Sequence, residues 1–189
     1  MEKPRRNQWA TTGGYWNQTH QDLLDSQTLD WKSAEGDMTP GVVRTTRTAL
    51  IQPNDSSGPL FQLLQDVIGY HNEEFYGFNL TYIQALQLHE YCVGDQYSPH
   101  HDWGGVLDPK KPNLCRKLSF SIQLSDPADY EGGDLEFYYG EPWTDEYRQK
   151  IRAKGTLITW PGFVLHGVTP VTRGVRRSLV GFCVGPDFT

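Results

Sequence analysis

Cysteine is scarce: Cys92, Cys115 and Cys183 are the only three, they stand far apart, and none forms a CxxC pair. That spacing argues against a disulfide framework or a cysteine zinc site and leaves the expectation of reduced core thiols. Long apolar runs are missing as well. No stretch approaches the roughly 20 residues that cross a bilayer as a helix, and the opening MEKPRRNQWATTGGYW has no apolar signal core. The expectation is a soluble, cytoplasmic protein with no membrane as partner. Positive charge is in deficit, with 17 Lys and Arg against 23 Asp and Glu and a net charge of -6. Nucleic acid is therefore not expected as a partner, because phosphate binding needs a cationic face. Glycine-rich phosphate loops, nucleophile elbows, internal repeats and low-complexity tracts are also absent. What remains is 189 residues, 37% hydrophobic and 21% charged, enough for one substantial core and short for two domains.

Within that chain, residues 91–102, YCVGDQYSPHHD, hold the densest chemistry. They read as a strand end, a turn at Gly94 and Asp95, and an extended segment that Pro99 keeps from becoming helical. Side chains alternate faces along such a segment, so His100 and Asp102 project together while His101 points away. One imidazole and one carboxylate thus converge. They make two thirds of a 2-His-1-carboxylate set, which grips a metal on one face and leaves the opposite positions open. The third ligand must come from far along the chain, and the best candidate is His166, in GTLITWPGFVLHGVTPVTRGVRRSLVGF. In that run Pro161-Gly162 separates two strands, Thr172-Arg173-Gly174 predicts a turn, and Val175 to Val184 is the most strand-like stretch. Arg176 follows His166 at an interval of ten and shares parity with Ser178, Val180 and Phe182, which places it on the inner side of its strand. A buried arginine needs an anion, and a planar guanidinium suits a carboxylate. Two histidines and a carboxylate also suit catalytic zinc, but Arg176 has no task in that scheme. His20, His71, His89 and His101 lack such partners and are read as ordinary core or surface residues; Trp143 and Trp160 are read as packing.

Elsewhere the chain reads as scaffold. Residues 1–40, with Trp9, Trp16 and Trp31, are expected to form an irregular N-terminal cover packed on a main domain over 41–189, with a short helix near Thr19 to Ser26. VVRTTRTALI, residues 42–51, reads as an early strand. Ser56-Ser57-Gly58-Pro59 opens a helix whose Phe61, Leu64, Ile68 and Phe75 share one face, and residues 82–92 form the strand leading into the central stretch. Gly104 to Asn113 is read as a rim loop or lid. Leu118, Phe120, Ile122 and Leu124 alternate with Ser119, Ser121 and Gln123, so the polar face of that strand must look into something wet or liganded. Asp145 and Glu146 followed by Lys150, Arg152 and Lys154 complement a helix dipole, with Gly155 ending the helix. Many short strands with helices outside them predict a mainly β fold with flanking helices, a double-stranded β-helix of the jelly-roll, cupin-like kind.

Three of these stretches together resemble one family. YCVGDQYSPHHD resembles the pattern Y-x-V-G-x-Q-Y-x-P-H-x-D of the prolyl 4-hydroxylase-like group of iron(II)- and 2-oxoglutarate-dependent dioxygenases at every fixed position. RKLSFSIQLSDPADYEGGDLEF, residues 116–137, is similar to the strand, turn and Gly-Gly-led strand of that group's bacterial PKHD-type branch. LHGVTPVTRGVRR, residues 165–177, resembles the same branch almost residue for residue. The likeness covers roughly residues 40–188, in order.

The resemblance implies that His100, Asp102 and His166 ligate Fe(II) and that Arg176 pairs with the distal carboxylate of 2-oxoglutarate, these four carrying catalysis. Tyr91 would donate a hydrogen bond to that cosubstrate. Gln123 stands where many relatives carry tyrosine and would still donate to a carboxylate. Tyr97 would lie near metal and substrate, and Trp103 would line the entrance. The implied reaction consumes O2, converts 2-oxoglutarate to succinate and CO2, and hydroxylates an unactivated C–H bond, with ascorbate as reductant. The implied partner is a peptide or protein bearing a proline in an exposed loop or tail. A free amino acid or small metabolite would instead require a second anion site, for which Arg177, Lys110 and Lys111 are the available cations. A non-catalytic jelly-roll binding module would have lost a metal ligand or the oxoacid cation, and all four residues are present. Collagen-type relatives carry lysine where Arg176 stands, so the chain sides with the arginine branch.

Overall fold

Alternating side chains sort the chain into a large sheet with an apolar outer face and a polar inner one, and two small sheets that close over the inner face. The computed structural model describes residues 8–35, 41–103, 114–138 and 144–187. In chain order these are β1 (Ala10–Thr12), α1 (Gln18–Asp25), β2 (Trp31–Glu35), β3 (Thr45–Ile51), α2 (Gly58–His71), a π-helical turn Asn72–Tyr76, β4 (Tyr82–Ile83), β5 (Leu86–Tyr91), β6 (Tyr97–His100) and β7 (Leu114–Gln123). Then come β8 (Tyr130–Gly132), β9 (Leu135–Phe137), α3 (Asp145–Arg152), β10 (Leu157–Pro161), β11 (His166–Val168), β12 (Val171–Gly174) and β13 (Arg176–Pro186). The large sheet runs β1-β10-β7-β13-β5-β3-β2, all antiparallel, with β4 pairing the end of β13. The small sheets are β6-β11-β9 and β12-β8. This is the jelly roll expected from the sequence. No helix among the described residues is long and apolar enough to cross a membrane.

The outer face of the large sheet carries Leu86 and Leu88 of β5, Leu118, Phe120 and Ile122 of β7, and Leu179 of β13, packed in one cluster with Leu60, Phe61, Leu64 and Ile68 of α2. Each such side chain contributes about 1.5–3 kcal/mol on burial, so this layer is the main source of stability. Because parity forces the neighbours of Leu118, Phe120 and Ile122 to the other side, Ser119, Ser121 and Gln123 are turned inward and are all buried. Tyr91, Val168 and Val171 form a second cluster and Phe137, Ile151, Ile158, Trp160 and Val164 a third, filling the space between the sheets.

Three expectations are corrected. Residues 172–174 do not turn: they belong to β12, paired with β8, and the strand stops only at Gly174, whose φ of 71° suits glycine and whose Cβ position lies 1.9 Å from the Asp129 carbonyl oxygen. Cys92 is exposed in the turn after β5; only Cys115 and Cys183 are buried thiols. Residues 8–35 contain the short helix, but also two strands, β1 and β2, which hydrogen-bond to the two edges of the large sheet. The rim loop 104–113 lies outside the described residues.

The amino-terminal strand is tied down by a buried histidine. His71 Nε2 lies 2.7 Å from the Thr12 hydroxyl and Nδ1 lies 2.8 Å from the Thr159 hydroxyl, linking β1, α2 and β10. Burial lowers the His71 pKa from 6.5. Below that value the unfolded chain binds a proton that the folded one resists, so acidification drains stability. The thermal midpoint of the metal-free protein should therefore fall as pH drops through 6.5. In His71→Gln the fall should be shallower, leaving the part due to His20, His89 and His166, whose pKa values burial also lowers. An unaltered slope in a scan of unfolding against pH would remove His71 from this role.

Candidate active site

Strand pairing brings the two histidines together. In the antiparallel β6–β11 register His166 is the partner of His100, and their ring centroids are 4.4 Å apart. Asp102 follows just beyond β6, where its backbone N–H donates to the Gly162 carbonyl at 2.9 Å. Its carboxylate oxygens lie 3.6 Å from His100 Nε2 and 3.3 Å from His166 Nε2. All three ligand atoms fall within 4.8 Å of one another, and all three residues are buried. The rings are oriented from behind: His100 Nδ1 donates to the Ser98 carbonyl at 2.8 Å and His166 Nδ1 to the Val164 carbonyl at 2.9 Å. A carbonyl can only accept, so each Nδ1 carries a proton, and Nε2 is the ring nitrogen turned toward Asp102. Ser119, inward on β7, donates to Asp102 Oδ2 at 2.7 Å.

The electrostatics favour an ionised carboxylate. Burial would raise the Asp102 pKa, but His166, His100 and the Ser119 hydroxyl overcome it and hold it well below the usual carboxylate range. Burial pushes the His166 pKa down, with Asp102 opposing.

Further along the inner face of β7 from Ser119 lies an open cleft lined by Ser121 and Gln123, Tyr130 of β8, Ile151 of α3, Thr156 and Arg176, among others. Arg176 is 4% exposed. It stands opposite Tyr91 in the β13–β5 register, with its guanidinium carbon 5.6 Å from the Tyr91 ring centroid, and donates to the Ser178 hydroxyl at 3.4 Å. No carboxylate among the described residues pairs with it. Arg152, which shares the cavity wall, does have one, Asp134, and also donates to the Gly132 and Tyr130 carbonyls. Room for Arg176 depends on Gly133, at φ 62°: a Cβ there would stand 3.0 Å from Arg176 Cδ and 2.9 Å from Val171 Cγ2. A buried cation without a counter-ion among the described residues, on the wall of a cleft lined by hydroxyls and an amide, suits an anion.

Residues 86–184, more than half of the chain, match the family described as the 2OG-Fe(II) oxygenase superfamily. The chain belongs to that superfamily. Among curated relatives, a PKHD-type hydroxylase of Klebsiella pneumoniae is 37% identical over 134 residues, which is 67% of this chain and 57% of that protein. The chain spans about half the length of the curated relatives it matches. Among solved structures, a viral collagen prolyl hydroxylase from Paramecium bursaria Chlorella virus-1, determined as its 2OG complex, aligns with a TM-score of 0.65 at 17% identity over 95% of this chain and 97% of that one. A Trichoplax adhaerens prolyl hydroxylase, in complex with a peptide fragment of the hypoxia inducible factor oxygen degradation domain, aligns with a TM-score of 0.65 at 16% identity, over 94% and 83%. At those identities the structures speak for the shared fold.

The residues of this chain fit the metal and cosubstrate named by its superfamily, Fe(II) and 2-oxoglutarate, with O2 as the oxidant. Two neutral imidazoles and one carboxylate are the donor set of a facial site. Ligand atoms on bonds of about 2.1 Å at right angles would lie about 3 Å apart, near the 3.3 and 3.6 Å separations seen here. Among the described residues three buried side-chain nitrogens lack a partner, His20 Nε2, Arg44 Nε and Trp160 Nε1. Two of these adjoin the trio: the Trp160 ring is 4.8 Å from that of His166, and Arg44 packs on Tyr97, which stacks on His100 at 3.6 Å.

The other residues singled out from the sequence fall as follows. Tyr97 is the ring under His100, tilted by 13°. Trp103 is 56% exposed beside Asp102. Tyr91 is buried with its hydroxyl 3.4 Å from His89 Nδ1. Gln123 lines the cavity, but its amide nitrogen is engaged with the Tyr130 hydroxyl at 3.0 Å and the Ser125 carbonyl at 3.3 Å, so it positions Tyr130 rather than standing free to donate. Arg177 is taken out of contention as a second anion site, since it points outward and shares Glu90 with Arg47; Lys110 and Lys111 lie outside the described residues. Sequence reasoning missed Tyr130, Thr156 and Ser119 as residues of the site, though the polar parity of β7 already pointed to Ser119.

Proposed function

We propose that this chain is an Fe(II)- and 2-oxoglutarate-dependent hydroxylase whose substrate is a peptidyl proline in an exposed loop or tail. The observation that carries the reading is the buried His100, Asp102, His166 trio together with a cleft whose buried arginine has no counter-ion among the described residues. His100, Asp102 and His166 would hold the metal, with Ser119 and the Ser98 and Val164 carbonyls fixing their orientation. Arg176 would receive the distal carboxylate of 2-oxoglutarate, with Tyr130, Thr156 and Ser121 lining the cavity around it. Tyr91, beneath the guanidinium, shields that pair from water. When bound, metal, cosubstrate and O2 supply the oxidising power that hydroxylates a C–H bond with release of succinate and CO2. Tyr97 and exposed Trp103 would meet the substrate at the entrance. The hydroxylase reading draws on the PKHD-type relative, and the proline reading on the prolyl hydroxylases that share the fold.

The test is an anaerobic titration of metal-free protein with Fe(II) and 2-oxoglutarate, followed by visible absorption. A weak charge-transfer band that needs both components and is lost in His166→Ala is expected. Folded protein that binds iron yet gives no band would overturn the reading.

A further inference from the structure

Arg44 is a further cation turned inward at the large sheet. Just ahead of β3, it crosses to β6 through an isolated bridge with Tyr97. Its Nη2 lies 3.2 Å from the Thr48 hydroxyl, 3.0 Å from His89 Nε2 and 3.4 Å from Gln87 Oε1, all on the inner face. None of these carries negative charge, and no carboxylate among the described residues pairs with Arg44. Its Nε is buried without an acceptor. The guanidinium carbon is 5.1 Å from the Tyr97 ring centroid, and that ring stacks on His100 at 3.6 Å. Together these distances put the guanidinium within about 9 Å of the His100 imidazole. The sheet is open at this end: Leu50, on the same side of β3 as Thr48, is 51% exposed, and Val43 is 47% exposed.

A count of charge gives Arg44 a task. A divalent metal and Arg176 bring three positive charges, and Asp102 with doubly charged 2-oxoglutarate brings three negative ones. Arg44 adds a further positive charge that no carboxylate among the described residues offsets, and a part-buried guanidinium whose Nε has no acceptor calls for an oxyanion. We infer that Arg44 is a substrate-binding residue that takes a carboxylate of the substrate, so this oxygenase hydroxylates an acidic substrate. The inference rests on the hydroxylase reading above and narrows its substrate class. An extended chain advances about 3.5 Å per residue. The carboxylate therefore belongs to the reacting residue itself or to an aspartate or glutamate within two or three residues of it. Tyr97 sets that spacing, since it separates the anion subsite from the ligand His100.

Succinate release should be compared for free L-proline, for an end-blocked neutral proline peptide, and for the same peptide with glutamate beside the proline, using wild type, Arg44→Gln and Arg44→Lys. At least one carboxylate-bearing probe should exceed the neutral peptide in kcat/KM by about tenfold or more, the size of one charge-assisted hydrogen bond. Arg44→Gln should erase that preference chiefly through KM, and Arg44→Lys should keep part of it. Which probe responds tells a free carboxylate from an acidic side chain. The Fe(II) and 2-oxoglutarate absorption band should persist in both variants, showing an intact metal site. Equal response of wild type to neutral and acidic probes, no response to any of them, or a preference that survives Arg44→Gln would overturn the inference. So would loss of the band on Arg44→Gln, which would move Arg44 to the cosubstrate. A band absent from wild type would instead strike the hydroxylase reading itself.

Discussion

Alanine in place of His166 is expected to lower Fe(II) affinity by at least about a hundredfold and to abolish 2-oxoglutarate turnover. Loss of a hydrogen-bond partner behind a metal ligand already costs about 10- to 100-fold in affinity or activity, and His166 offers a ligand atom itself. The companion change Ser119→Ala, which only frees Asp102 Oδ2, should fall in that milder range. Equilibrium binding of Fe(II), read by calorimetry under anaerobic conditions, separates the two. Full affinity or full turnover in His166→Ala would mean that the ion is held elsewhere, and the trio would then be a buried polar network without chemistry.

Arg176→Met should have opposite effects on the free and the liganded protein. Methionine keeps most of the length and removes the charge. Because the guanidinium is buried with only the Ser178 hydroxyl as a polar partner among the described residues, losing it relieves an unpaired charge, and the thermal midpoint of ligand-free protein should stay level or rise. Affinity for 2-oxoglutarate should fall by about 30- to several-thousand-fold, the effect of truncating one member of a buried charge pair at about 2–5 kcal/mol. The upward shift in midpoint that 2-oxoglutarate produces with Fe(II) should vanish with it. A shift of undiminished size would place the anion away from Arg176.

Much of this site is legible because its residues are local or follow strand parity. His100 and Asp102 are two residues apart on one extended segment, and Arg176 sits on the same side of β13 as buried Ser178 and Phe182. The alternation of Ser119, Ser121 and Gln123 with Leu118, Phe120 and Ile122 already described a sheet that is dry outside and polar inside. Arg44 was out of reach for the opposite reason. It lies between a polar stretch and a short strand, and its inward aim follows from the pairing of Thr48 with His89 across β3 and β5, a register that no local pattern contains. Tyr130 was hidden by its setting: in DPADYEGGD it reads as loop, yet β8 buries it to 1% exposure and points it at Gln123. The amide of Gln123 looked free from sequence because its partner was invisible.

The order of strands in the large sheet also bears on how the chain is made. Ala10 to Thr12 find their partners only at Leu157 to Thr159, and the His71 latch needs Thr159 as well. During synthesis at about 5–20 residues per second, the amino-terminal strand must wait on the order of ten seconds before its template leaves the ribosome. Until then β1 cannot join the sheet, while β2, β3, α2 and β5 can already assemble among themselves. Closure of the β10 edge thus follows the emergence of residues 157–159, and until then the nascent protein carries an unpaired edge strand.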